Sequence, residues 1–402
     1  MLYDVAIVGA GPAGSTAAKI LSEEGVRTLL LEQATFPRDK PCGGGLQMRI
    51  LHRFKYLEEH NLIDSYSSAL QLHSSSMKHT LDFEHNRPLQ AMVLRTVFDK
   101  GLVDLAIRSG AILRCGRTAQ TIKTGRENTT MVCSNGEKVS SRMVIGADGI
   151  WSIIAKIMGM RQDCNRIGIC VYTEHRMNQG TLQRLYGEER QVHIHLQPQG
   201  LIGYGWVFPK NNHVNVGIVE FRQALNPARG KKNLQNQYRL YLRMLKQQKL
   251  LPQNFPTALV HGGAFPTCPL NKLSTDRILL CGDAGGLANP MTGEGIYYAM
   301  SSGEIAAKTA MNALENDTTD AYSLRSYQRQ WNHEFHRDFT LLSRLSKRWG
   351  KNTDSIIELV SKDEKLIDII CHAIPNPGGI QKEKWKIIRR LLLTYCTNKL
   401  RK

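Results

Sequence analysis

The stretch Gly9-Ala10-Gly11-Pro12-Ala13-Gly14 has the spacing of a phosphate cradle. In such a turn the first glycine permits a tight bend, the second lets bare backbone approach a pyrophosphate, and the third lets a helix pack close to a strand. Glu32 ends the next apolar run, where a carboxylate accepts hydrogen bonds from a ribose hydroxyl pair. A second candidate is Cys42 in "FPRDKPCGGGL", followed by Gly43, Gly44 and Gly45. It is either a reactive thiol held against something flat or a small residue in a tightly turning loop. The third group is Tyr204, Trp206 and Phe208, whose alternation sets three rings on one strand face, for chemistry or simply as a core stripe. His193 and His195 also share a face, as metal ligands can. No acidic or cysteine partner lies near them in the chain, so they are read as surface residues and no metal is assigned.

The elements that must hold these residues follow from the pattern of apolar positions. Val5 to Val8 form a short strand, "STAAKILSEEG" a helix of small and apolar residues with Gly25 at its C′ position, and "VRTLLLEQ" a second buried strand. This is a βαβ unit around the glycines, which makes the cradle a dinucleotide site. "LRTVFDKGLVDLAIRSGA" is an amphipathic helix with Val97, Phe98, Leu102, Leu105 and Ala106 on one side. "SNGE" marks a hairpin, and "SRMVIGADG" a buried strand that ends at Asp148. Residues 165 to 222 alternate as β-strands do, and the chain beyond about residue 311 is helical and basic.

Composition narrows the partners. With 402 residues, the chain can bury a large core in two packed domains or one domain with a second embedded in it. No apolar run is long enough for a membrane-spanning helix, and Asp4 ahead of the first apolar stretch argues against a secretion signal. Nine scattered cysteines suit neither a disulfide framework nor a zinc site, which points to the cytoplasm. The net charge of +18 attracts anions such as phospholipid headgroups or diphosphates. The basic residues lack the aromatic interleaving of a single-strand groove, so nucleic acid is not expected. A non-catalytic protein held to a membrane or nucleic acid by this charge is accordingly ranked low.

Two further stretches bring in a family. "GADGIWS" (Gly146 to Ser152) and "CGDAGGLANPMTGEGI" (Cys281 to Ile296) resemble the DGxxS and GDAAHxxxPxxGxG signatures of FAD proteins of the aromatic-hydroxylase and glutathione-reductase type. "GYGWVFP" with the following "NVGI", together with "PCGGGL", resembles the YxWxFP element and Cys-Gly loop of the geranylgeranyl reductase family. The resemblance implies that Asp283 contacts the ribityl chain of FAD and that Gly293, Glu294 and Gly295 face the pyrimidine end of its ring. It also implies that Arg95 contacts the cofactor, as do Ala13, Lys40, Gly43, Ala119 and Ile296.

The fold implied is α/β: a Rossmann-like FAD-binding domain (residues 1–160, closed by 271–310), an inserted, mainly antiparallel β substrate domain (161–270) and a helical, basic C-terminal region (311–402). The expected activity is saturation of double bonds in an isoprenoid carried by a diphosphate, lipid, quinone or pigment precursor. A flavin monooxygenase or halogenase on the same scaffold is the alternative. An isolated alkene takes a proton first and then hydride from the flavin, with the aromatic face stabilising the positive charge. Cys42 is a candidate for the acid, or for a redox thiol, against the plainer reading of a small residue where the loop passes the ring. The glycines beside it are expected to leave room for the flavin. No second nucleotide cradle is present in the sequence, so the reductant is transiently docked NAD(P)H or another electron carrier. "KEKWKIIRRLLLTYCTNKLRK" suits peripheral contact with the inner face of an anionic membrane, or a basic helix packed on the body.

Overall fold

The computed structural model describes residues 2–160, 166–223, 234–257, 260–346, 353–373 and 379–400. The first apolar run is β1 (Leu2–Val8). Pro12 opens α1 (Pro12–Glu23) at a position where its missing N–H leaves no bond unmade. Gly25 closes that helix with φ +75°, the left-handed conformation expected at C′. Next come β2 (Thr28–Glu32), β3 (Ala69–His73), β4 (Thr80–Glu84), α2 (Arg95–Arg108), β5 (Ile112–Cys115) and β6 (Lys138–Gly146). The middle of the chain supplies β7 (Arg166–Arg176), β8 (Val192–Leu196), β9 (Gly203–Pro209), β10 (His213–Gln223), α3 (Leu234–Gln247) and β11 (His261–Pro266). β12 (Ile278–Leu280), α4 (Ile296–Glu315), α5 (Arg337–Ser346), α6 (Thr353–Ser361), α7 (Glu364–Ala373) and α8 (Gly379–Leu400) complete it.

In the first sheet β12, β6, β1, β2 and β5 lie side by side in that order, each pair parallel. Val5, Ala6, Ile7, Leu29, Leu30, Val144 and Ile145 are fully buried there, as the continuous apolar runs require of a parallel sheet covered on both faces. Helices α1 and α4 meet at small residues: a Cβ on Gly303 would lie 2.3 Å from the Ala13 carbonyl oxygen. The "SNGE" turn is the expected hairpin bend, with Gly136 at φ +81° between Thr129–Cys133 and β6. On α2, Phe98, Leu102, Leu105 and Ala106 are buried. Val97 is not part of that face and is 54% exposed, because it lies one 100° step behind Phe98 around the helix.

The second sheet runs β11-β7-β10-β9-β8-β3-β4 and is antiparallel except at the β8–β3 joint. Two of its strands come from residues 69–84, ahead of the stretch read as the inserted domain. Its alternation divides labour between two faces: Leu70, Leu72, Ile194 and Leu196 face a cavity, while His73, His193 and His195 face the opposite way.

That opposite face corrects the reading of His193 and His195 as surface residues, since both are buried. His73 stacks on His195 at 4.4 Å and bonds His193 across 3.2 Å, and Tyr241 of α3 meets His195 Nδ1 at 2.8 Å. Helix α3 and Gln179–Tyr186 cover this face, neither of which strand alternation announces. Among the described residues, no helix is long and apolar enough to cross a membrane.

Candidate active site

The glycines of the first turn act differently, and their surroundings say why. Gly9 has φ +101°, and a Cβ on it would lie 2.3 Å from the Ala147 carbonyl oxygen. A Cβ on Gly14 would lie 1.9 Å from the Gly9 oxygen, so this glycine serves helix packing and does not line the cavity. Gly11 is the open one: the nearest atom to a Cβ there is an Arg38 nitrogen at 3.7 Å. Bare backbone at the start of α1 thus faces free space, as a pyrophosphate needs. Glu32 accepts the Ala10 N–H at 2.9 Å and the Ala34 N–H at 3.1 Å, which fixes its carboxylate at the end of β2.

Gly9, Gly11, Ala13, Glu32, Lys40, Cys42, Gly43, Arg95, Ala119, Asp283, Gly293, Gly295 and Ile296 all line one cavity of about 1470 Å³. A pocket for one small ligand is typically about 300–1,000 Å³, so this one has room for a cofactor and a second molecule. Asp283 is pushed up from the ordinary carboxylate range by burial, with Lys40 and Arg95 pulling the other way. Arg95 holds Asp99 through two bonds of 2.7 and 2.8 Å, and Arg38 reaches the same carboxylate at 3.0 Å. The open backbone at Gly11, the fixed Glu32, the cations Arg38, Lys40 and Arg95, and the start of α4 after Gly295 fit a FAD. Gly293, at φ +73°, turns the chain into that helix.

Tyr204, Trp206 and Phe208 line the same cavity from β9. Their packing gives the glycines of "PCGGGL" a reason within the protein itself. A Cβ on Gly43 would meet Phe208 at 2.9 Å and the Trp206 Nε1 at 3.2 Å, and one on Gly45 would meet Phe208 at 3.0 Å. Gly44 has φ +78° and sits against the Val93 carbonyl and the buried Lys210. The loop is glycine-rich because aromatic rings of the sheet press on it. The same logic explains "NVGI": Gly217 leaves the space that the Trp206 ring crosses, 2.2 Å from where a Cβ would stand.

Cys42 is held in this contact. The Gly44 N–H donates to its sulfur at 3.3 Å, and the Arg95 guanidinium lies close enough to interact with it electrostatically. Cys170, on β7, lines the cavity too, and burial pushes its thiol up to about 12, with the nearby Cys42 adding to the shift. Asn215 spans to the Cys42 carbonyl and to Glu174, which pairs with Lys210 at 2.6 Å.

Two parts of the site lie outside the sequence reading. Arg49 is buried against Glu294 and donates to the Tyr298 hydroxyl at 3.1 Å, with its guanidinium over the Tyr297 ring. Burial raises the Glu294 carboxyl and Arg49 lowers it. Beyond the aromatic strand the cavity becomes an apolar channel between the sheet (Leu70, Leu72, Leu81, Phe83) and helices α5 to α7 (among them Leu342, Ile357 and Ile370). Arg49 sits in "LQMRILHR", where nothing distinguishes it from a surface base. The channel's walls join segments far apart in the chain.

The FAD binding domain family matches residues 2–334. A digeranylgeranylglycerophospholipid reductase of Methanopyrus kandleri is 30% identical over 396 residues, covering 96% of this chain and 100% of the relative. Among solved structures, a geranylgeranyl bacteriochlorophyll reductase-like protein of Thermoplasma acidophilum superposes with TM-score 0.76 at 22% identity, covering 95% of this chain and 98% of that one. The halogenase PltM superposes with TM-score 0.66 at 16% identity over 89% of this chain and 79% of its own, a likeness of fold alone. The glycine cradle, the flavin motifs in order and the aromatic strand therefore have one common explanation: the chain belongs to the geranylgeranyl reductase family of FAD-dependent oxidoreductases.

Proposed function

We propose that the protein saturates carbon–carbon double bonds in an isoprenoid chain of the geranylgeranyl type, and that a glycerophospholipid carries that chain. The carrying observation is the continuity of one cavity, from the cradle past Tyr204, Trp206 and Phe208 into the apolar channel. A long unbranched set of apolar walls suits a prenyl tail, and an aromatic face beside the reacting bond stabilises the positive charge that protonation creates. A diphosphate, quinone or pigment precursor would enter by the same channel.

Bound FAD, once reduced, supplies the hydride. The chain's own residues hold the alkene against the aromatic face, exclude water and deliver the proton. Cys42 is the proposed acid: its sulfur gives a proton to one alkene carbon, and the Gly44 N–H and Arg95 hold the thiolate left behind. Asp283, Arg95 and the start of α4 are the proposed flavin contacts, and Glu32 the proposed ribose acceptor. The reductant would be NAD(P)H or another electron carrier, and the protein would work on the cytoplasmic side of a membrane that it touches peripherally.

Reduction of a geranylgeranyl glycerophospholipid by the purified, reduced protein tests this. The expected product gains two hydrogens per bond, detected by mass spectrometry. Oxygen-dependent hydroxylation with no gain of hydrogen would overturn the reading in favour of a monooxygenase.

A further inference from the structure

Helix α8 carries apolar residues on two adjoining sides. Its inner side, Ile387 and Leu391, packs on the cluster of Leu81, Phe83, Ile357 and Val360 that walls the channel. Arg390 and Thr394 anchor it to Asp363, the arginine at 2.7 Å. Its outer side carries Trp385, Ile388, Leu392 and Tyr395, three or four residues apart, so they form one stripe. Trp385 is 72% exposed and Leu392 59%.

A helix needs one apolar face to pack, and this one has a second that no part of the described chain covers. Around the outer stripe stand Lys382, Lys384, Lys386 and Arg389, and Gly379–Leu400 contains six bases against the single acid Glu383. Lys384 lies over the Trp385 ring at 4.9 Å from its centre. Apolar and aromatic residues bordered by cations are the composition of a helix lying in an anionic membrane interface.

We infer that the outer face of α8 docks the protein on an anionic lipid bilayer. The stripe of Trp385, Ile388, Leu392 and Tyr395 enters the headgroup layer, and the flanking lysines and arginine meet the phosphates. The net charge of +18 draws the whole molecule to the same surface. Leu345 and Ile356 are exposed and also line the cavity, so the channel reaches the surface among the same C-terminal helices. The inference rests on the lipid-substrate reading for its purpose, and its test does not depend on turnover.

The full chain, loaded with FAD, is floated with vesicles of phosphatidylcholine alone or mixed with phosphatidylglycerol, without substrate. Binding is expected to the mixed vesicles, and to weaken sharply as salt rises from about 0.1 to 1 M, which shortens the screening length from about 10 to 3 Å. Exchanging Trp385→Ser and Leu392→Ser together lowers partitioning by about tenfold or more, with melting temperature and FAD content unchanged. Absence of binding by the unaltered protein, or equal binding by the double variant, overturns the inference. So does a dimer in sedimentation velocity that the double variant dissolves, since a second copy would then own the stripe. Binding without reduction of a detergent-dispersed geranylgeranyl lipid leaves the docking intact and removes the lipid-substrate reading. Reduction without binding does the reverse.

Discussion

Asn215 Nδ2 donates to the Cys42 carbonyl oxygen at 3.1 Å, while its Oδ1 accepts the Trp206 Nε1–H at 2.7 Å. One side chain thus sets the height of the cysteine loop above the aromatic strand. Asn215→Leu strands a buried indole N–H, at a cost of about 1–3 kcal/mol, and leaves the half-buried Cys42 carbonyl without this donor. A lower melting temperature and a raised KM for the prenyl substrate are expected, with FAD content unchanged.

Cys42→Ala separates the sulfur's chemistry from its size. If Cys42 is the acid, turnover falls by about 10²-fold or more while FAD stays bound. In heavy water one deuterium enters one alkene carbon and flavin-derived hydrogen the other. Full turnover by the variant would leave Cys42 as loop packing, and both hydrogens arising from one source would sink the two-step order.

Gly11→Ala and Gly14→Ala make a paired test of the cradle. The first places a methyl no closer than 3.7 Å to its nearest neighbour, an Arg38 nitrogen, so folding is unaffected and FAD occupancy, read from the absorbance ratio of flavin to protein, drops. The second drives a methyl into the Gly9 carbonyl and destabilises the fold itself. Equal behaviour of the two variants would contradict the division of roles between these glycines.

Acid stability depends on the buried histidines. Burial holds His193 down to about 3, and His73 and His195 also lie below the ordinary histidine value. The unfolded chain takes up these protons near pH 6.5 and the folded one only below that. Stability is therefore complete above about pH 6.5 and falls as the pH drops below it, by up to about 1.4 kcal/mol per pH unit for His193 down to about pH 3, with His73 and His195 adding to the loss. Urea unfolding at pH 7.5 and 5 is expected to show the loss, and His193→Phe to lessen it.

Leu72→Trp narrows the channel beyond the aromatic strand. Activity on a geranylgeranyl chain is expected to fall several-fold while a shorter geranyl chain is retained, measured as the ratio of kcat/KM for the two. An unchanged ratio would place the tail elsewhere.

The cradle, Glu32, the flavin motifs and the aromatic stripe were legible because each depends on short spacing along one strand or turn. Gly9 and Gly14 are sterically required where the turn implies, and Gly11 leaves bare backbone at the start of the helix. The loop glycines were noticed, but their packing against Phe208 and Trp206 was not legible, since those rings are far off in the chain. The histidines misled because alternation shows that two residues share a face and not what covers it. Strands β3 and β4 escaped for a related reason: they are short, their polarity is mixed, and their place is set by a partner, β8, that comes much later.

That late partner has a consequence for the order of events during synthesis. The hairpin of β3 and β4 leaves the ribosome long before β8, its parallel neighbour, exists. Until then its outer edge has no strand to pair with, and Leu70, Leu72, Leu81 and Phe83 have no helices α5 to α7 to cover them. The first nucleotide-cradling unit of β1, α1 and β2 closes locally, whereas one wall of the channel waits for almost the whole chain. Truncated chains should therefore acquire the β1–α1–β2 packing while exposing the channel wall, and it is there that a chaperone would find its handle.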